Sequence, residues 1–290
     1  MKSHDYEDAN SGKADFEWTY NRLDPRLYFE ALGKLDYAIP ERAGPVFRRV
    51  FDAYETLRKR DSLTVMDIGC SYGINAAVLK YGCKMDELRA HYAGFDESDV
   101  TSREMLRADQ REFTEEKAKR DLQIVGIDIA QFATAYAFWA GLLHDTIPEN
   151  LEIQDPSRRS AQTLAQCDLI ISTGAVGYVT DATFDRIMAC QPEGHHPWVG
   201  CFVIRMFDYE PIGKAMEKYG YATEKLEGRY FEQRRFAGKE EHEHVVHWLH
   251  EKGLDTEGLE DEGHYLAEFY LSRPKTDIEK MPLSQIVPSK

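Results

Sequence analysis

Cysteine is scarce and unpatterned: five residues, at positions 70, 83, 167, 190 and 201, with no Cys-x-x-Cys pair. An odd count without that pairing offers neither a disulfide framework nor a thiolate zinc site. Cys70, Cys167 and Cys201 lie in or beside apolar runs, where cysteine serves as a small hydrophobe. No stretch approaches 18 consecutive apolar residues, so no membrane-spanning helix is expected. The opening MKSHDYEDANSGKADFEW lacks the apolar core of a secretory signal, and a cytoplasmic location is the expectation. Positive charge is short as well: 36 Lys and Arg against 51 Asp and Glu, a formal net charge of -15. Such a field repels phosphate backbones, and the basic clusters at 58–60, 158–159 and 234–235 read as solvated faces or helix ends. A nucleic-acid partner is therefore not expected, nor is a repeat architecture, since no period of 20–50 residues is visible.

The hydrophobic share of 42% and charged share of 30% are those of an ordinary globular protein, and 290 residues suffice for a large core. Residues 1–15 are acidic and polar and read as a mobile tail. Residues 16–60 are dense in aromatics, and Val46, Phe47, Val50, Phe51, Tyr54 and Leu57 fall on one helical stripe. Short apolar runs then alternate with helical patterns. The runs are LTVMDIG (63–69), LQIVGIDI (122–129), LEIQD (151–155), CDLIISTGAV (167–176), WVGCFVIRMF (198–207) and HYLAEFYLS (264–272). Residues 83–121 are charged and helical, and KEEHEHVVHWLHEKG (239–253) is a further helix. Continuous apolar strands separated by helices predict a parallel sheet covered on both faces, here with an antiparallel end. Residues 273–290 carry three prolines and read as a loose tail.

VMDIGCSYGINAAVL (65–79) reads as a buried strand, an acidic residue, a glycine turn and a new helix. A dinucleotide site asks for G-x-G-x-x-G with pyrophosphate on the helix start. Here Ser71 stands where the middle glycine belongs, between Gly69 and Gly73, and Asp67 precedes the turn. A carboxylate there serves an anion poorly and an ammonium well. Asp128, at the end of the second strand, is placed to accept both hydroxyls of a ribose, or else simply caps the helix that follows.

VMDIGCSYG, VGIDIAQFATAYA and CDLIISTGAVGYV together resemble the first, second and fourth motifs of class I S-adenosylmethionine (SAM)-dependent methyltransferases. The resemblance spans roughly residues 60–272. It implies an α/β fold, the Rossmann-like doubly wound seven-stranded sheet of that family, at 61–272, with an N-terminal helical cap at 16–60 and a helical insertion at 83–121. It implies SAM as cofactor. Asp67, Gly69, Cys70, Ser71 and Gly73 would wrap the methionine part, and Asp128 with Ile129 would hold the nucleoside. Asp155 would face the adenine, and Ser172, Thr173 and Gly174 would lie near the sulfonium. Two departures matter. The gap from Asp67 to Asp128 is longer than the family's usual spacing, which leaves Asp96 as a rival ribose ligand. The acidic-Pro-Pro-aromatic motif of amino and nucleobase methylation is missing after the fourth strand.

At the reaction centre the candidates are Tyr178, just beyond the fourth strand, and Tyr20, with Phe16 and Trp18 beside it in a segment able to fold over the site; core packing is the alternative for each. Arg205 and Asp208 would orient a substrate or pair structurally, and His195 or His196 would act as a general base or lie in a plain loop. His242, His244, His247 and His250 cluster without a recognised zinc spacing, so a polar helix face is expected and no metal. The expected activity is methyl transfer from SAM to a small molecule, by a monomer or homodimer. The alternatives are cyclisation of SAM itself with release of methylthioadenosine, as in azetidine-2-carboxylate synthases, and SAM binding without turnover.

Overall fold

A computed structural model describes residues 10, 12–13, 19–95 and 100–288. Eight strands form one sheet: β1 (Leu63–Ile68), β2 (Leu122–Ile127), β3 (Asp145–Ile147), β4 (Leu169–Thr173), β5 (Trp198–Ile204), β6 (Tyr221–Lys225), β7 (Phe231–Arg235) and β8 (His264–Pro274). The order is β3-β2-β1-β4-β5-β8-β6, and β7 also pairs with β8. β1 to β5 run parallel, whereas β8 is antiparallel to β5, β6 and β7. β7 pairs with the start of β8 and β6 with its end, so eight strands fill seven positions. The parallel sheet with an antiparallel end is what the apolar runs predict, and its order is the one that the resemblance to class I methyltransferases implies. The order reverses between β1 and β4, the place where open α/β sheets bind ligands.

Helices cover both faces. On one, the helix Ile39–Arg58 buries Val46, Phe47, Val50, Phe51 and Tyr54, and Phe47 meets Phe202 of β5 edge-on at 5.1 Å. Pro40 in its first turn and Lys59 in a left-handed cap define its ends. On the other face, Phe184, Ile187, Ile212, Met216, Val245 and Leu249 pack against Met66, Ile170, Val199 and Cys201 of the central strands.

Four expectations need correction. The third strand is Asp145–Ile147, not residues 151–155. Asn150 accepts the Glu152 N–H at its side chain and the Ile153 and Gln154 N–H groups at its carbonyl, which curls that apolar stretch into a turn. The fifth strand stops at Ile204, where the Phe207 N–H turns back onto the Ile204 carbonyl. The helix expected after the glycine turn is α-helical only over Ile74–Ala76, then widens into a π turn over Ala77–Tyr81 closed by Gly82. Residues 273–290 are no loose tail as far as residue 288: Lys275–Lys280 and Leu283–Ile286 are helical, and Leu283, Ile286 and Val287 are buried. Asp277 anchors them by accepting from Trp198 Nε1 at 2.9 Å and from the Arg58 guanidinium. Of the expected mobile tail, only residues 10, 12 and 13 are described.

Candidate functional site

Parallel pairing sets Asp67 of β1 between Gly126 of β2 and Ile171 of β4. Gly69 continues the pairing by donating its N–H to the Ile127 carbonyl at 2.8 Å. The chain then reverses through three left-handed residues: Gly69 (φ 75°), Ser71 (φ 47°) and Gly73 (φ 74°). A Cβ on Gly69 would lie 2.6 Å from the Ala175 Cβ, so only glycine fits. Cys70 is buried beneath the turn, tight against Gly126, where burial pushes its thiol well up. It is a space-filler rather than a nucleophile.

Ser71 pays for its conformation with a bond to the neighbouring strand end. Its N–H donates to Asp128 Oδ2 at 2.9 Å, while the Ala130 N–H donates to Asp128 Oδ1 at 2.9 Å. Asp128 therefore joins the glycine turn to the start of the helix Gln131–Trp139, with the free edges of both oxygens left over. Burial raises its pKa, the two N–H groups opposing. Beside it Ile129 is 66% exposed.

Asp67 is fully buried. Its Oδ1 accepts from Asn75 Nδ2 at 2.8 Å, and the same amide donates to Thr173 Oγ1 at 3.0 Å. Burial pushes the Asp67 carboxyl up to about 7; Asn75 opposes the shift and Asp128 adds to it. Three buried polar atoms of this turn and helix find no partner: Asp67 Oδ2, Ser71 Oγ and Asn75 Oδ1. Asn75 Oδ1 is a pure acceptor, as is Asp67 Oδ2 once the carboxyl is ionised, and buried acceptors left unpaired are costly. What they lack is a donor.

Ser172 is buried and its Oγ accepts the Ala175 N–H, shaping the turn after β4. Gly174 (φ 91°) abuts Gln233, whose Nε2 would lie 2.6 Å from a Cβ. Tyr178 follows on this loop and is 60% exposed. Tyr20 packs edge-on against Tyr28 at 5.1 Å, and its hydroxyl is pushed above its usual range by burial and by Tyr37 and Tyr178. The structure thus brings Asp67, Gly69, Ser71, Gly73, Asp128, Thr173 and Gly174 to one end of the sheet.

Other candidates fall elsewhere. Asp155 lies well past β3, its side chain 90% exposed and paired with Arg186 at 3.1 Å. His195 and His196 precede the amino end of β5, across the sheet from the glycine turn, which removes them as general bases there. His195 instead faces Gln191 and Asp168. Arg205 pairs with Glu260 and donates to the Asp255 carbonyl, and Asp208 pairs with Lys252 at 3.0 Å; both are structural ties. Among the described residues no group of side chains is arranged to hold a metal ion. His242 stacks on Phe236 and His250 meets Thr256. Phe16, Trp18 and Asp96 lie outside the described residues.

Two contributors escape sequence reasoning. Asn75 is the one polar residue in INAAVL, a signal that was there to be read. Tyr37 reaches Thr173 and Tyr28 from the loop before Ile39–Arg58, and nothing local marks it. Burial and the charge of Asp67 push its hydroxyl up.

No family model and no curated protein matches the sequence. Solved structures do. Magnesium protoporphyrin IX methyltransferase from Synechocystis PCC 6803, with bound SAM, is 10% identical over 80% of this chain and 81% of its own, at a TM-score of 0.38. The plantazolicin methyltransferase BamL, with a desmethyl analogue and SAH, gives 11%, 81%, 86% and 0.39. The plantazolicin methyltransferase BpumL, with SAH, gives 10%, 94%, 96% and 0.40. Likeness this loose concerns the path of the chain alone, and it is the strand order that carries the fold. The strand order is that of the class I methyltransferase fold.

Proposed function

We propose that the protein binds SAM at the carboxyl ends of β1, β2 and β4 and transfers its methyl group to a small molecule. One observation carries this reading: the unpartnered Asp67 Oδ2, Ser71 Oγ and Asn75 Oδ1 around a glycine turn. An ammonium offers three N–H donors, the complement of these acceptors, and the amino-acid end of SAM carries one. A pyrophosphate would meet Asp67 as a like charge. The residues present therefore fit SAM and not a dinucleotide.

In this reading Asp67 and Asn75 hold the ammonium and Asp128 accepts the ribose hydroxyls. Ile129 gives the adenine an apolar face, and Ser172, Thr173 and Gly174 border the sulfonium. When bound, SAM supplies a methyl carbon activated by positive sulfur. The chain's contribution is position and dryness: a rigid turn fixes the donor, and aromatic side chains including Tyr20 and Tyr178 keep water from the reacting atoms and face the positive sulfur. No general base is required when the acceptor is an amine or an acidic hydroxyl.

Mass spectrometry after incubation with SAM alone, and with SAM plus panels of small amines and hydroxy compounds, tests the reading. Acceptor-dependent S-adenosylhomocysteine is the expected product. Methylthioadenosine released without acceptor would replace transfer with cyclisation. Bound SAM left intact across every panel would make the protein a binder only.

A further inference from the structure

A second constellation lies one loop from the glycine turn. Lys13 Nζ stands 4.6 Å from the Tyr178 ring centre, 5.3 Å from Phe207 and 5.9 Å from Tyr265. The rings come from the loop after β4, the turn that follows β5 and the start of β8, so the sheet topology assembles this cage. Gly177 makes room for Phe207, whose ring would lie 2.7 Å from a Cβ there. Arg234 sits over Tyr265 at 4.6 Å and is held by Glu241 through bonds of 2.9 and 2.7 Å, both side chains buried. Two described neighbours of Lys13 are also held: Asn10 Nδ2 donates to the Gly177 carbonyl at 2.9 Å, and Gly12 lies so close to His244 that a Cβ would sit 2.1 Å from its ring. Tyr178 lies four residues beyond Gly174, on the loop that leaves β4 beside the glycine turn. Removal from water pushes Lys13 down to about 7, with Arg234 adding and Glu241 opposing.

We propose that the Tyr178–Phe207–Tyr265 cage is the acceptor subsite and takes a primary alkyl amine, Lys13 being its internal stand-in. The proposal rests on the methyl-transfer reading above. Three ring faces draw an ammonium from solvent. Desolvation and the nearby Arg234 guanidinium then disfavour the charge, so the amine sheds a proton to solvent and bares its lone pair. That pair forms the N–C bond to the methyl carbon, the C–S pair stays on sulfur, and the products are a methylated ammonium and S-adenosylhomocysteine. A quaternary ammonium has no lone pair to offer, and an alcohol has no charge for the rings to draw.

Calorimetric titration of n-butylamine into the full chain tests this, with SAM titrated separately. Lys13→Met should bind n-butylamine about tenfold more tightly than the parent, because the competing ammonium is gone. In that background n-butanol should bind about tenfold more weakly than the amine, and adding the exposed-site change Tyr178→Leu should cost the amine about tenfold. Equal amine affinity with and without Lys13, or indifference to Tyr178→Leu, overturns the proposal whatever SAM does. So does a Lys13→Met chain that gains SAM affinity but takes no amine, which assigns the cage to the sulfonium. Amine binding with no SAM binding supports the cage and breaks the methyl-transfer reading instead.

Discussion

Asp67 carries a charge that the fold makes expensive. Its carboxyl is pushed to about 7 by burial, against roughly 4 in an unfolded chain. Between those values the folded state keeps a proton that the unfolded state has lost. Its contribution to stability is therefore present below about pH 4 and fades as pH rises to about 7. Asp67→Asn should remove this slope, and urea midpoints measured from pH 4 to 8 will show it; an unchanged slope contradicts the assignment. Asp128 does different work, bracing the turn while offering its remaining edges. Asp128→Ala should weaken SAM binding roughly 10- to 100-fold, the worth of one hydrogen bond to a charged acceptor, as read by calorimetry. Both aspartates were legible in the sequence because each ends an apolar strand at a turn. Tyr37 and Lys13 were not, because their partners lie far along the chain and only the folded sheet brings them together.

At the scale of elements, the glycine turn is rigid because its backbone conformations leave few alternatives. Gly69→Ala combines a left-handed φ with a Cβ 2.6 Å from Ala175 and should cost about 2–4 kcal/mol. Gly194→Ala has φ 78° but meets nothing within 4 Å, and should cost only about 1 kcal/mol. Equal losses in chemical denaturation would show that packing against the loop after β4 is unimportant. The carboxyl-terminal helices make a second case. Asp277→Ala leaves the Trp198 N–H and the Arg58 guanidinium without their acceptor and should destabilise by about 2–4 kcal/mol; a midpoint close to the parent's would contradict that anchoring. Sequence reasoning read the prolines of this segment as looseness, although its apolar Leu283, Ile286 and Val287 are what seat it. It placed the third strand on LEIQD because β3 itself, Asp-Thr-Ile, is too short to show a pattern.

For the whole molecule, the parallel strands β1, β2 and β4 place every proposed SAM contact at one end of a single sheet. That arrangement was legible from the alternation of apolar runs with helices, since each buried strand announces itself over several residues. The division of the last sheet position between β6 and β7 was not, because those strands are short and half polar. A ligand that ties β1, β2 and β4 together at their ends stabilises the whole fold, by about 2.7 kcal/mol at a hundredfold excess over its Kd. The most direct measurement is a pair of calorimetric titrations of the full chain, one with SAM and one with NAD. Saturable one-to-one binding of SAM with no heat from NAD is the predicted result. Binding of NAD in place of SAM, or of neither, would contradict an ammonium-and-ribose site at Asp67 and Asp128.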